Sequence, residues 1–291
     1  MEEKDKYKNS DVDIFIYSHI PFVPIATDKT FKVLTNNNSP ACYFNTDLAI
    51  YRDYTGDNIS DKNLMYNEYS GFYWIWKNYP IKKYVGMNHY RRMYECFNDL
   101  PDVDEIFKTN KIILSTPFRL VYRYDTELVK NGQMANNYEW YAYWHCIDDL
   151  DLVGKIIQEL YPEYMDGYNK MCNSEYIFNS SMFIMDKQTY NEYCTFVFSI
   201  LDRFNEIRGF KTSEDCIKYV EANKDKYITK KDSGHGYYNV EKQSRIIGYL
   251  AERILATFIM HGGKDSLEHN AYFVKWGMVP EEIYKSPFIE K

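Results

Sequence analysis

No stretch of this sequence approaches 18 consecutive apolar residues, so no helix is expected to cross a membrane. The opening residues, Met1 to Ser10, are polar and lack the apolar core of a signal peptide. Cysteine is sparse and scattered, at Cys42, Cys96, Cys146, Cys172, Cys194 and Cys216, without a Cys-x-x-Cys pair. That is the pattern of reduced thiols rather than of a disulfide frame or a zinc knuckle. There is no G-x-G-x-x-G, no P-loop, no H-E-x-x-H and no G-x-S-x-G. NAD chemistry, P-loop ATP hydrolysis and zinc hydrolysis all lose support. The six histidines (19, 89, 145, 235, 261 and 269) never pair at a spacing of three or four, which argues against a structural metal site. Basic charge is short as well. Lys+Arg number 35 against 42 Asp+Glu, for a net charge of −7, and nucleic-acid binders gain their affinity from clustered cations. A cytoplasmic globule is the expectation.

What is abundant is aromatic: 30 Tyr, 17 Phe and 5 Trp in 291 residues, 18% of the chain. Hydrophobic content of 45% and charged content of 26% are globular values, and no Pro- or Gly-rich linker divides the sequence. One domain over 1–291 is expected. Apolar, β-prone runs predict strands at Val12–Tyr17, Lys82–Asn88, Lys111–Ser115 and Ser181–Asp186. Apolar residues at helical spacing predict helices over 63–78, 148–160, 187–208 and 241–260. Residues 209–240 read as a long charged loop with at most one short helix, and 263–291 as an irregular tail. Strands separated by helices make a layered α/β domain, with the nucleotide-binding core at 12–186 and a helical C-terminal third at 187–262.

The most informative stretch is His89-Tyr90-Arg91-Arg92, at the end of the second predicted strand. Open α/β sheets bind ligands beyond the carboxyl ends of their strands, so these cations aim at the expected ligand position. Guanidinium forks match phosphate geometry and stay charged, which suits a diphosphate; an ordinary ion pair with a neighbouring carboxylate is the simpler reading. At Thr55-Gly56-Asp57-Asn58 the polar groups could serve sugar hydroxyls or merely build an Asx turn. His145 is followed by Asp148 and Asp149 at a helix start, where one carboxylate suffices as a cap and the other is free to be a general base. Arg245, Gly248, Tyr249 and Glu252 share one helix face, either a solvated surface or the polar wall of a cleft.

Taken in order, these blocks resemble the bacterial DUF4422 family of glycosyltransferases, found in capsule, exopolysaccharide and lipopolysaccharide gene clusters and associated in several cases with galactofuranose transfer. The match is carried by Thr55-Gly56-Asp57-Asn58-Ile59-Ser60 with Lys62-Asn63, Glu68 with Tyr73-Trp74-Ile75-Trp76-Lys77-Asn78, and Tyr84-Val85-Gly86 with His89-Tyr90-Arg91-Arg92. It continues through His145 with Asp148-Asp149-Leu150, Tyr161-Pro162-Glu163-Tyr164, Met182-Phe183-Ile184-Met185, and Arg245 with Gly248 and Glu252-Arg253. The resemblance implies a GT-A-like, Rossmann-like fold working on a nucleotide sugar. Many enzymes of that fold hold a divalent metal with Asp-x-Asp at a strand end. Here Asp11/Asp13, Asp102/Asp104 and Asp149/Asp151 have that spacing, but His89-Tyr90-Arg91-Arg92 stands at the place.

The expected reaction is transfer of a galactose-type hexose from a UDP-sugar to a carbohydrate hydroxyl. Thr55, Asp57, Asn58, Glu68, His89, Arg91 and Arg92 are expected to bind the donor. Asp149 is the first choice of base, then Asp148, beside His145; Tyr141 and Trp144 offer a stacking surface to the acceptor, with Arg245 and Glu252 in the cleft wall. No metal ligand is assigned, and Mg²⁺ or Mn²⁺ stays open as a cofactor. Membrane contact is expected only through the acceptor. Two other readings share the features: transfer to a modified nucleobase of phage DNA, with the Lys-rich 222–231 segment as a local patch, and saccharide binding without catalysis.

Overall fold

The computed structural model describes residues 9–36, 46–96, 99–119, 136–178, 181–228, 239–262 and 271–280. Its centre is β1 (Val12–Ser18), buried along its whole length. Alternate side chains of a strand point to opposite faces. Phe15 and Tyr17 therefore enter one core, and Val12, Ile14 and Ile16 the other. The neighbouring β4 (Tyr84–His89) does the same, with Val85 and Met87 on one side and Tyr84 on the other. Cover on both faces explains why these strands read as continuous apolar runs.

β1 pairs in parallel with β2 (Phe31–Thr35) and with β4, and β3 (Ile50–Arg52) extends the sheet beyond β2. On the far side of β4, β9 (Phe183–Asp186) runs antiparallel and is followed by β6 (Ile112–Ser115) and β10 (Ala271–Val274). The order is β10-β6-β9-β4-β1-β2-β3. β5 (Arg92–Tyr94) turns back from β4 and pairs with β11 (Trp276–Met278), while β7 (Phe118–Arg119) and β8 (Tyr176–Ile177) form a separate ribbon. The chain leaves β1 toward β2 on one side and reaches β4 on the other. Strand order thus switches between β1 and β4, which opens a crevice beyond their carboxyl ends.

The helices are α1 (Asn63–Tyr66), α2 (Tyr69–Asn78), α3 (Val103–Ile106), α4 (Asn137–Trp144), α5 (Ile147–Leu160), α6 (Met165–Asn173), α7 (Lys187–Arg208), α8 (Ser213–Ala222), α9 (Lys224–Tyr227), α10 (Val240–Gln243) and α11 (Ile246–Met260). α7 has the expected bounds; Asp186 caps it through the Gln188 and Thr189 amides, and Tyr190, Tyr193, Val197, Leu201 and Phe204 are buried.

Four expectations need correction. The helix over 63–78 is two helices broken at Asn67-Glu68, and that over 241–260 is broken at Ser244-Arg245. The long loop carries two helices, α8 and α9, set by a capping box between Thr212 and Asp215 and anchored by buried Cys216, Val220 and Tyr227. Three apolar anchors in a charged segment leave too weak a period to read. The tail supplies β10 and β11, and β2 and β3 also went unread, because a short strand is decided by partners distant in sequence. Ser233–Tyr238, and Thr229–Lys231 of the Lys-rich segment, lie outside the described residues.

Candidate active site

A cavity of about 250 Å³ opens at the switch point, lined by Tyr17 and His19 after β1, His89, Tyr90 and Arg91 after β4, Asn63, Leu64, Asn67 and Glu68 from the α1–α2 break, and Glu241, Lys242 and Arg245 near the α10–α11 break. Three irregularities of the backbone therefore converge on it. His89 Nδ1 accepts a hydrogen bond from the Arg91 amide (3.0 Å), which leaves Nε2 to carry the proton of a neutral imidazole. Burial and the charges of Arg91 and Arg92 hold the His89 pKa well below the usual imidazole value; burial, Arg245 and Arg91 lower His19. Both rings face the cavity as uncharged groups at neutral pH. The His89 ring stacks on Tyr90, and the Arg91 guanidinium lies over the Tyr90 ring, with its buried Nε lacking a hydrogen-bond partner.

The opposite wall hangs on a buried hydrogen-bond chain. The fully buried Asp53 carboxylate accepts from the Tyr17 hydroxyl (3.1 Å), Ser70 (2.7 Å) and Ser60 (2.7 Å). Asn63 Nδ2 donates to the Tyr17 hydroxyl (2.6 Å) and to the Asn67 carbonyl (2.7 Å), and Asn67 Oδ1 accepts from Arg245 Nε (2.6 Å). Asn67 has φ 54° and ψ −133°, a backbone conformation held at a cost of about 1–3 kcal/mol. Gly248 leaves room for its side chain, since a Cβ there would lie 1.9 Å from Asn67 Nδ2.

Glu68 follows as the N-cap residue of α2. It is half-buried and lines the cavity. Desolvation and the charge of Glu252 raise its pKa to about 7, against the opposing pull of Arg245 and Arg92. Glu252 is held by buried Arg253 at 2.7 Å, and Arg253 in turn lies over the Tyr141 ring. His145 stacks on Tyr249 at 4.0 Å, and Arg245, which lines the cavity, lies over the same Tyr249 ring.

The structure thus joins Glu68, His89, Arg91 and Arg245 in one cavity, with Arg92 and Glu252 near enough to act on Glu68. It does not bring the other expected groups there. Asp149 is 1% exposed and accepts from Arg208 (2.7 Å) and Tyr227 (2.7 Å), so it clamps α5 to the 208–227 segment instead of facing the cavity. Asp148 pairs with Lys226 (2.9 Å) on the surface. Thr55, Asp57 and Asn58 build a turn: Trp74 Nε1 donates to Thr55 (2.9 Å), Tyr73 donates to Asp57 (3.1 Å), and Asn58 donates to the Gly56 carbonyl (2.8 Å). Gly56, at φ 60°, is packed so closely on Asn78 that a Cβ would overlap its Oδ1. Tyr141 is buried, and the Trp144 carbonyl accepts from Gln243, so neither lines the cavity. Tyr17, His19, Asp53, Asn63, Asn67, Glu241 and Lys242 were missed. His19 was within reach of the rule that pointed to His89, as the first ionisable residue after a buried parallel strand.

The family model described as a domain of unknown function, DUF4422, matches residues 13–220. The chain belongs to the DUF4422 family. All the cavity residues up to Arg91 fall within that match, while Glu241, Lys242, Arg245 and Glu252 come from beyond it. No curated protein matches the sequence. Among solved structures, the apo form of the WbbM bifunctional glycosyltransferase superposes with a TM-score of 0.65 at 23% identity, over 93% of this chain and 45% of that one. This DUF4422 chain therefore has the fold of a glycosyltransferase structure more than twice the length it aligns to, a GT-A-like α/β sheet covered by helices.

Among the described residues no group of three or more His, Cys, Asp or Glu side chains gathers as a metal site. Asp13 is tied to Lys32 (2.5 Å) and Tyr79, Asp102 caps α3, Asp104 pairs with Lys83, and Asp151 accepts from Tyr138 (3.0 Å). None of the three Asp-x-Asp pairs lines the cavity, where Arg91, Lys242 and Arg245 stand beside Glu68, Glu241 and the two imidazoles.

Proposed function

We propose that this chain is a glycosyltransferase moving a hexose, of galactose or galactofuranose type, from a UDP-sugar to a carbohydrate hydroxyl in surface-polysaccharide synthesis, acting in the cytoplasm. The observation that carries the reading is the cationic cavity at the β1–β4 switch point. Arg91, Lys242 and Arg245 line it, with the His89 Nε2 proton as a neutral donor beside them. Breaking the anomeric bond leaves charge on the departing diphosphate, and preorganised cations and donors in a partly desolvated site are suited to hold it. With the Asp-x-Asp carboxylates engaged elsewhere, the arginines take the part a metal plays in other enzymes of this fold. Among the described residues no helix is long and apolar enough to cross a membrane, so membrane contact would come through the acceptor.

A thermal-shift screen of nucleotide sugars, followed by release of UDP from the donor that binds, tests this. UDP and a UDP-hexose should raise the melting temperature, and turnover should survive EDTA. Arg91→Ala should lower kcat/KM by roughly 10- to 100-fold, the worth of one charged hydrogen bond of about 1.5–3 kcal/mol, with an unchanged melting temperature in the absence of ligand. Full activity in that variant, or strict dependence on Mn²⁺, would overturn the diphosphate role. Sugar binding without turnover would instead favour a non-catalytic saccharide-binding protein, and salt-sensitive DNA binding a nucleobase acceptor.

A further inference from the structure

We propose that Glu68 is the general base of the transfer and that Glu252, clamped by Arg253, is its positioning partner. The assignment rests on the transferase reading above and replaces Asp149 in that role. The base must present an oxygen to the acceptor in the same cavity that holds the diphosphate. Glu68 lines the cavity with Arg91 and Arg245, whereas Asp149 is enclosed by Arg208 and Tyr227.

The position of Glu68 is built. The break after α1 sets its place: Asn67 has its unusual backbone conformation there, and its side chain lies against Gly248 and accepts from Arg245. The groups acting on it come from every wall: Glu252 and Tyr249 from α11, Arg245 just before it, Arg92 from β5, Tyr17 from β1 and Tyr69 from α2. Glu252, held by Arg253 at 2.7 Å, is close enough for its charge to act on Glu68. Its charge makes Glu68 the stronger base, poised to exchange a proton near neutral pH.

In the step, the acceptor oxygen bonds to the anomeric carbon and its hydroxyl proton moves to a Glu68 oxygen. The bond from the anomeric carbon to the phosphate oxygen breaks, and its electron pair leaves with the diphosphate, whose charge meets Arg91 and Arg245. Water in place of the acceptor gives donor hydrolysis by the same route, so hydrolysis is a sufficient assay.

The test measures UDP release from UDP-galactose and UDP-glucose against pH, with UDP binding followed by thermal shift. In the wild type kcat/KM should rise with pH through about 7, because the base acts only when deprotonated. Glu68→Gln should lose about 10²- to 10⁴-fold in kcat while still binding UDP, and Glu68→Asp should recover part of it. Glu252→Gln removes the neighbouring charge and should move the acid limb to lower pH, a change that loss of packing alone would not produce. Wild-type turnover in Glu68→Gln, or an unmoved limb in Glu252→Gln, overturns the proposal while leaving the transferase reading intact. If the wild type releases UDP from no donor, the transferase reading itself fails and the base assignment falls with it.

Discussion

At the scale of single residues, the cavity depends on a contact between neighbours 181 positions apart in sequence. Asn67 and Gly248 touch, and the glycine is needed because any Cβ would intrude on the Asn67 amide. Gly248→Ala should displace Asn67, loosen Arg245 and cost about 1–3 kcal/mol of stability through overpacking. Its kcat/KM should fall further than that loss accounts for at temperatures where the variant is folded, which denaturation and steady-state kinetics together would show. The His-Tyr-Arg-Arg block was legible because it sits where a strand ends, and position relative to a strand is a local property. Glu68 was legible as a family residue but not as the base. Its chemistry comes from burial and from Glu252, neither of which a local window contains.

Elements show the opposite error, in which a local rule promised more than the fold delivers. Two acids opening α5 suggested one to spare for chemistry. The fold gives Asp149 to Arg208 and Tyr227, a buried contact that docks the 208–227 segment onto α5. Burial pushes the Asp149 pKa up, and Arg208 with the Tyr227 hydrogen bond pulls against it. Asp149→Asn should therefore destabilise by about 1–3 kcal/mol, since it takes the charged partner from a half-buried arginine. Its folded fraction should keep wild-type kcat, and a normal melting temperature with abolished turnover would restore Asp149 as a base. The breaks at Asn67-Glu68 and Ser244-Arg245 were invisible for a related reason. Apolar residues continue in phase across both, so the period reports a burial stripe and not the break within it.

For the molecule as a whole, the aromatic excess is mostly core. Tyr66, Tyr69, Tyr94, Tyr141, Tyr190, Tyr193 and Tyr227 are fully buried, and the hydroxyls of Tyr66, Tyr69 and Tyr190 find partners in Asn205, Ser181 and the Phe72 carbonyl. A core that also encloses neutral imidazoles is sensitive to acid. His89 and His145 have folded pKa values well below the unfolded value near 6.5. Below that pH the unfolded chain takes up protons that the fold refuses, so stability is complete above it and falls as the pH drops toward 5. Denaturant midpoints measured between pH 5 and 8 should show this decline, and His89→Gln should flatten it.

The α/β class, the central strands, the long helix α7 and the cationic strand end are readable in the amino-acid order, because each depends on residues close together along the chain. Which carboxylates meet the cavity, where the helices break, and that chain beyond residue 262 adds strands to the sheet emerge only in the folded chain. Those outcomes depend on burial and on partners distant in sequence, such as Gly248 against Asn67, Glu252 beside Glu68 and Arg208 against Asp149, whose distances are fixed only when the fold closes.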